Sequence, residues 1–128
     1  MTKMLFVGEC QSLTAKRKKW TWKDGHLAAK PLFAALEAMG IRPLEHEYMN
    51  LWQVNVAPVV GWQKIERIRA HTYEPGHVVI ALGKRVSAEL TKRGIEHVAL
   101  VHPAARGKIR KRERYHAHVA ERLSRVIP

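Results

Sequence analysis

The sequence predicts an α/β domain built on a mainly parallel, four-stranded sheet with helices on both faces. Short apolar runs of strand character alternate with longer amphipathic segments of helical period. That alternation implies βαβ crossovers, which place helices over both faces of the sheet. At 128 residues, with 46% hydrophobic content and four tryptophans, the chain suits one domain, residues 1–128, around its own core.

Leu5 to Val7 read as a first buried strand that stops at Gly8. The following stretch, Glu9 to Gly25, is polar, basic and aromatic, and reads as a long functional loop. Leu27, Pro31, Leu32, Ala35, Leu36 and Met39 recur at helical spacing, and Gly40 supplies a stop. Tyr48 to Val56 carries the aromatic and β-branched residues of a second strand, ending near Ala57-Pro58. Trp62, Ile65 and Ile68 predict a helix from Gly61 to His71, before the turn at Glu74-Pro75-Gly76. His77 to Leu82 forms a third strand, and Gly83 turns the chain into a helix that carries Val86 and Leu90 and ends near Gly94. His97 to Val101 is the fourth strand. Ile109, Tyr115, Val119, Leu123 and Val126 then predict a basic amphipathic helix that closes the domain. Trp52 and Trp62 read as core residues, and His116 and His118 as surface residues.

Charge is the strongest compositional signal. Lysine and arginine total 23 against 11 acidic residues, a formal charge of +12, which points to a polyanionic partner. The excess is clustered: Lys16, Arg17, Lys18 and Lys19 form one block, and Arg106, Lys108, Arg110, Lys111, Arg112 and Arg114 another. Clustering favours a phosphate-binding surface over a merely solvated face. Cys10 is the single cysteine, which excludes an internal disulfide framework and any multi-thiolate metal or iron–sulfur site. Cys10 itself reads as a small buried loop residue in preference to a nucleophile. The start of the chain has no signal-peptide core, and no apolar run approaches a membrane span, so a cytoplasmic protein without a membrane partner is expected.

Ligands of such sheets sit at the carboxyl ends of the strands. Glu9 follows the first strand and His102 the fourth, so parallel strands bring an acid and an imidazole to one rim. Such a pair can orient water and stabilise a leaving anion. A lone strand-end histidine more commonly serves a local hydrogen bond, so the residues alone leave the rim open to either role.

In order and wording the chain resembles the uracil-DNA glycosylase superfamily. Leu5-Phe6-Val7-Gly8-Glu9-Cys10 resembles that group's strand ending in Gly-Glu-Ala-Pro-Gly, and Leu32 to Ile41 resembles its helix ending in Leu-x-x-x-Gly-Ile. Val78 to Gly83 is similar to its strand-to-helix segment, and Val101-His102-Pro103 to the start of its His-Pro-Ser motif. The resemblance implies a three-layer α/β/α sandwich that flips a base out of DNA and hydrolyses its bond to deoxyribose. By the same resemblance Glu9 positions or activates water, His102 hydrogen-bonds the departing pyrimidine, and Ala104 to Lys108 enters the minor groove. Cys10-Gln11-Ser12 stands where the group has Ala-Pro-Gly, and Ala104-Ala105 where it often has Ser-Pro. Asn50 is the candidate base reader and Asn55 a weaker one. Asn50 lies one position early, and a one-residue offset along a strand turns a side chain to the opposite face. The group's stacking phenylalanine has no counterpart, so Trp20 or Trp22 takes that role.

The expected partner is therefore DNA, single- or double-stranded, bound by a monomer through Lys16, Arg17, Lys18, Lys19, Arg106, Lys108, Arg110 and Lys111, with no cofactor and no metal. Two other functions fit the same residues: a non-catalytic nucleic-acid-binding module on a glycosylase-like scaffold, and an RNA- or nucleotide-binding protein.

Overall fold

The alternation of side chains along the first strand decides the layers. In the computed structural model, which describes residues 2–52, 62–105 and 107–127, strand β1 spans Lys3–Gly8. Met4 and Phe6 point into one apolar cluster and Leu5 and Val7 into another. The first cluster is closed by α2 (Ala29–Ala38) and α5 (Arg112–Leu123), through Leu32, Leu36, Tyr115, Val119 and Leu123. The second is closed by α3 (Trp62–Tyr73) and α4 (Lys84–Lys92), through Ile65, Ile68, Val86 and Leu90. The result is the three-layer α/β/α sandwich.

Strands β2 (Glu47–Asn50), β3 (His77–Leu82) and β4 (Val98–Leu100) complete a sheet of order β2-β1-β3-β4. Among the described residues every pairing is parallel. The register sets Gly8 beside Asn50 and Phe6 beside both Tyr48 and Ile80. Edge strands are short, whereas β1 and β3, paired on both sides, run for six residues each.

Glycines stop the helices where the sequence places them. Gly40 (φ 76°) and Gly94 (φ 69°) adopt left-handed backbone after α2 and α4, and Ile41 and Ile95 then donate their N–H groups back to Leu36 and Leu90. The basic stretch after β1 differs from the long loop expected of it. It contains a short helix, α1 (Leu13–Lys18), and a 3-10 turn at Trp22–Asp24. Ser12 caps α1 by accepting the Ala15 N–H at 3.1 Å, and Lys16, Arg17 and Lys18 lie in its last turn, where the helix dipole favours cations. No α1 residue is buried, so no apolar periodicity marks it.

Strand β2 covers the first part of the expected second strand; the remainder, with Asn55, lies outside the described residues. The last helix starts later than its periodicity implies, because Lys108–Arg110 forms a separate 3-10 turn. No described helix is long and apolar enough to cross a membrane. Trp52 is buried as expected, whereas the Trp62 side chain lies outside the description.

Candidate active site and nucleic-acid interface

An all-parallel sheet collects its carboxyl ends at one rim. After β1 the chain crosses to β2 on one side, and after β3 it crosses to β4 on the other, so the switch point lies between β1 and β3. Gly8-Glu9 and Gly83 stand there, and His102 follows β4 on the same rim. Gly83 has φ 103°, a conformation that side-chain-bearing residues rarely adopt, and donates its N–H to Leu100 O at 2.9 Å. A Cβ at Gly83 would lie 3.7 Å from Glu9 Oε1 and 3.6 Å from His102 Cδ2. The bare glycine thus leaves Glu9 and His102 facing one small gap.

His102 is held in one tautomer. The Ala104 N–H donates to its Nδ1 at 3.0 Å, and the Ala105 N–H donates to its carbonyl at 2.9 Å. A backbone N–H only donates, so Nδ1 is the acceptor and the neutral ring carries its proton on Nε2. Burial pushes the His102 pKa below its ordinary 6.5, against a smaller upward pull from Glu9. A neutral imidazole with Nε2–H as donor is therefore the form favoured at neutral pH.

Glu9 is part buried, and its carboxylate pairs with Arg85 at 3.8 Å. Arg85 in turn lies 5.0 Å over the Trp52 ring, and the Trp52 backbone N–H donates to the Glu9 carbonyl at 2.8 Å. Glu9 does not line the main cleft beside the rim; it approaches His102 from the Gly83 side.

That cleft, about 680 Å³, runs between the segment after β1, the start of α2 and the end of β2. Trp22 donates its indole N–H to Asn50 Oδ1 at 2.9 Å, and its ring lies 6.0 Å from Tyr48 at an interplanar angle of 19°. Tyr48 stacks at 5.1 Å on the buried Phe6, which anchors the aromatic column in the core. Because Trp22 occupies Oδ1, the Asn50 amide keeps its Nδ2 hydrogens as the donor end. Asn50 lines this cleft, which corrects the expectation that its offset turns it away. Its parallel register beside Gly8 puts it on the face of Tyr48 and Phe6. Trp20 lines the cleft too, packed 4.1 Å from His26 with Lys18 Nζ 5.5 Å from its ring, and its carbonyl accepts from Gln11 Nε2 at 2.9 Å.

The rim is cationic. Lys16, Arg17, Lys18 and Lys19 are exposed on and just after α1, and Lys108 and Lys111 are exposed in the segment after His102. The Arg110 side chain and Arg106 lie outside the described residues. The sequence reading missed Lys84 and Arg85, exposed at the rim immediately after Gly83, and Lys30 and Lys23, exposed beside the cleft. The strand-end rule that singled out Glu9 and His102 marks Lys84 and Arg85 equally well.

Two further expectations are corrected. Cys10 is exposed and borders the cleft, since the chain has left the sheet there. His118 is no plain surface residue: its Nε2 accepts the Val101 N–H at 2.9 Å, while the Tyr115 hydroxyl donates to Val101 O at 3.1 Å. The pair ties the strand that leads into His102 to α5. Among the described residues no group of three or more His, Cys, Asp or Glu side chains is placed to hold a metal ion. No family model matches the chain, and no curated protein matches it.

Proposed function

We propose that the chain is a cytoplasmic DNA-binding N-glycosylase that takes uracil or another modified base into the Trp22–Asn50 cleft and removes it by hydrolysis. The observation that carries this reading is His102, neutral by burial and fixed with Nε2–H as donor, beside the Glu9 carboxylate at the topological switch point. Cleavage of the bond between base and sugar sends its electron pair to the base, and positive charge grows on the deoxyribose. His102 Nε2–H donates to the carbonyl oxygen on which the base's negative charge collects. A fixed donor of this kind needs no reorganisation as the charge develops. The Glu9 carboxylate faces the developing cation and accepts a proton from the water whose oxygen bonds to the sugar carbon. Trp22 offers a ring for stacking, and the Asn50 Nδ2 donates to an acceptor on the base edge. The exposed lysines grip phosphates of a flipped duplex nucleotide or of a single strand.

One observation favours a second reading, a nucleic-acid-binding module without turnover. Arg85 already pairs with Glu9 and opposes the field that the carboxylate would exert on the sugar. The deciding experiment offers labelled single- and double-stranded oligonucleotides carrying uracil or other modified pyrimidines, followed by alkaline cleavage. Abasic product that disappears in Glu9→Ala and His102→Ala supports the enzyme. Salt-sensitive binding with no product across the panel supports the module.

A further inference from the structure

A second cleft, about 660 Å³, opens between α2 and the segment running from His102 into α5. Pro31, Ala34, Ile109 and Tyr115 supply apolar surface, and exposed Lys30 and Arg112 supply charge. The Tyr115 hydroxyl is already committed to Val101 O, which leaves the ring as an apolar wall. This cleft is continuous with the first: both are lined by Leu27, Ala28, His102 and Ala104. Leu27 stands at this shared wall with φ 54°, a left-handed conformation that is costly for a non-glycine residue, and its side chain is half exposed. Local burial of Leu27 does not offset that cost.

We infer that the second cleft seats the base of a nucleotide adjoining the target on the same strand, with the intervening phosphate crossing the wall at Leu27 and Ala28. The inference rests on the nucleic-acid reading above and deepens it: the recognised unit is a dinucleotide. Each cleft is of a size that accepts a base with its sugar. Apolar walls accept any base by its faces, so this seat selects for the presence of a neighbouring base and not for its identity. Lys30 and Arg112 complement a phosphate between the two seats.

The test is an NMR titration at low salt with three kinds of probe: thymidine 5′-monophosphate, 5′-phosphorylated thymidine dinucleotide, and that dinucleotide with either base removed in turn. Mononucleotide binding reports the first cleft, and the gain of the dinucleotide over it reports the second. The dinucleotide is expected to bind about tenfold more tightly, within the range that stacking one base contributes. Its binding alone should move the amide signals of Ala34 and Ile109, and one of the two abasic dinucleotides should lose the gain. Ala34→Phe fills the cleft and should abolish the gain while leaving mononucleotide binding unchanged. Arg112→Gln, at an exposed position, should reduce the gain several-fold, and Trp22→Ala should weaken both ligands. Equal binding of mononucleotide and dinucleotide, a gain kept by both abasic dinucleotides, or a gain that survives Ala34→Phe each overturns the second seat while the first stands. Failure of all the probes to bind the wild-type chain overturns the nucleic-acid reading and this inference with it.

Discussion

Gly8→Ala perturbs the candidate site without touching Glu9 or His102. The new methyl group would lie 2.7 Å from Trp22 Cζ2 and 2.9 Å from Asn50 Oδ1, well inside ordinary contact at about 3.5–4 Å. Trp22 must swing away, and its hydrogen bond to Asn50 breaks. Overpacking of this kind costs about 1–3 kcal/mol, and the lost hydrogen bond about 1 kcal/mol. Reduced freedom of the unfolded chain returns about 0.4–1 kcal/mol. The net loss is about 1–3 kcal/mol, which lowers the melting temperature of a domain this size by roughly 4–11 °C. Thermal unfolding followed by circular dichroism measures it, with a double-mutant cycle against Trp22→Ala. In the Trp22→Ala background the ring clash is gone and only Asn50 Oδ1, the end of a flexible side chain, must shift, so Gly8→Ala should become nearly neutral, a coupling of about 1.5 kcal/mol or more. A Gly8→Ala protein as stable as wild type, or an equal loss in both backgrounds, refutes the packing argument.

Three other perturbations separate chemistry, grip and proton linkage. His102→Ala should lower excision about 10²–10³-fold, the cost of one preorganised donor, with oligonucleotide affinity nearly unchanged in a fluorescence anisotropy assay; an unchanged rate removes His102 from the chemistry. Replacing Lys16, Arg17, Lys18 and Lys19 with glutamine should flatten the dependence of log Kd on log salt by about 0.7–0.9 for each residue that meets a phosphate, and an unchanged slope places the contact surface elsewhere. His46, His71, His102 and His118 all have pKa values lowered from 6.5, with burial the largest cause in each. The unfolded chain therefore takes up protons below pH 6.5 that the native chain refuses. The stabilisation from these neutral histidines is complete above that pH and lost as pH falls through the lowered values. Melting temperature measured from pH 8 to pH 5 should fall most steeply below pH 6.5, and a flat profile contradicts the assignment.

The parallel sheet was legible because its central strands are buried on both sides. Val78 to Leu82 is apolar without interruption, and β3 spans those residues together with His77. Burial on one face made α2 and α5 legible through Leu32, Leu36, Tyr115 and Leu123, though not their ends, which depend on backbone turns. Helix α1 buries nothing, so no apolar pattern marked it and its stretch read as loop. Glu9 and His102 could be found because a strand end is a position along the chain. That Asn50 shares the face of Tyr48 follows from their two-residue spacing, but its partners could not be found, because Gly8 and Trp22 are brought to it by pairing between β1 and β2 and by the chain beyond β1. The same holds for Arg85, whose role comes from Glu9 and Trp52, distant in sequence.

Topology and charge act on this site in different ways. The switch between β1 and β3 places Glu9 and Gly83 together whatever the surface carries, and Gly83, lacking a side chain, keeps the gap towards His102 open. On the proposed reading the cations would bring a polyanion to the rim and contribute equally to any sequence it contains. Selectivity would then have to come from the aromatic cleft, where Trp22 fixes the Asn50 amide with its donor end free. Arg85 would belong to both sets: exposed at the rim, it could meet a phosphate, and it offsets the carboxylate to which the proposed hydrolysis assigns the water. A phosphate that draws Arg85 away from Glu9 would release that carboxylate only when nucleic acid is bound. The free protein would then hold its acid paired, and binding would itself complete the site.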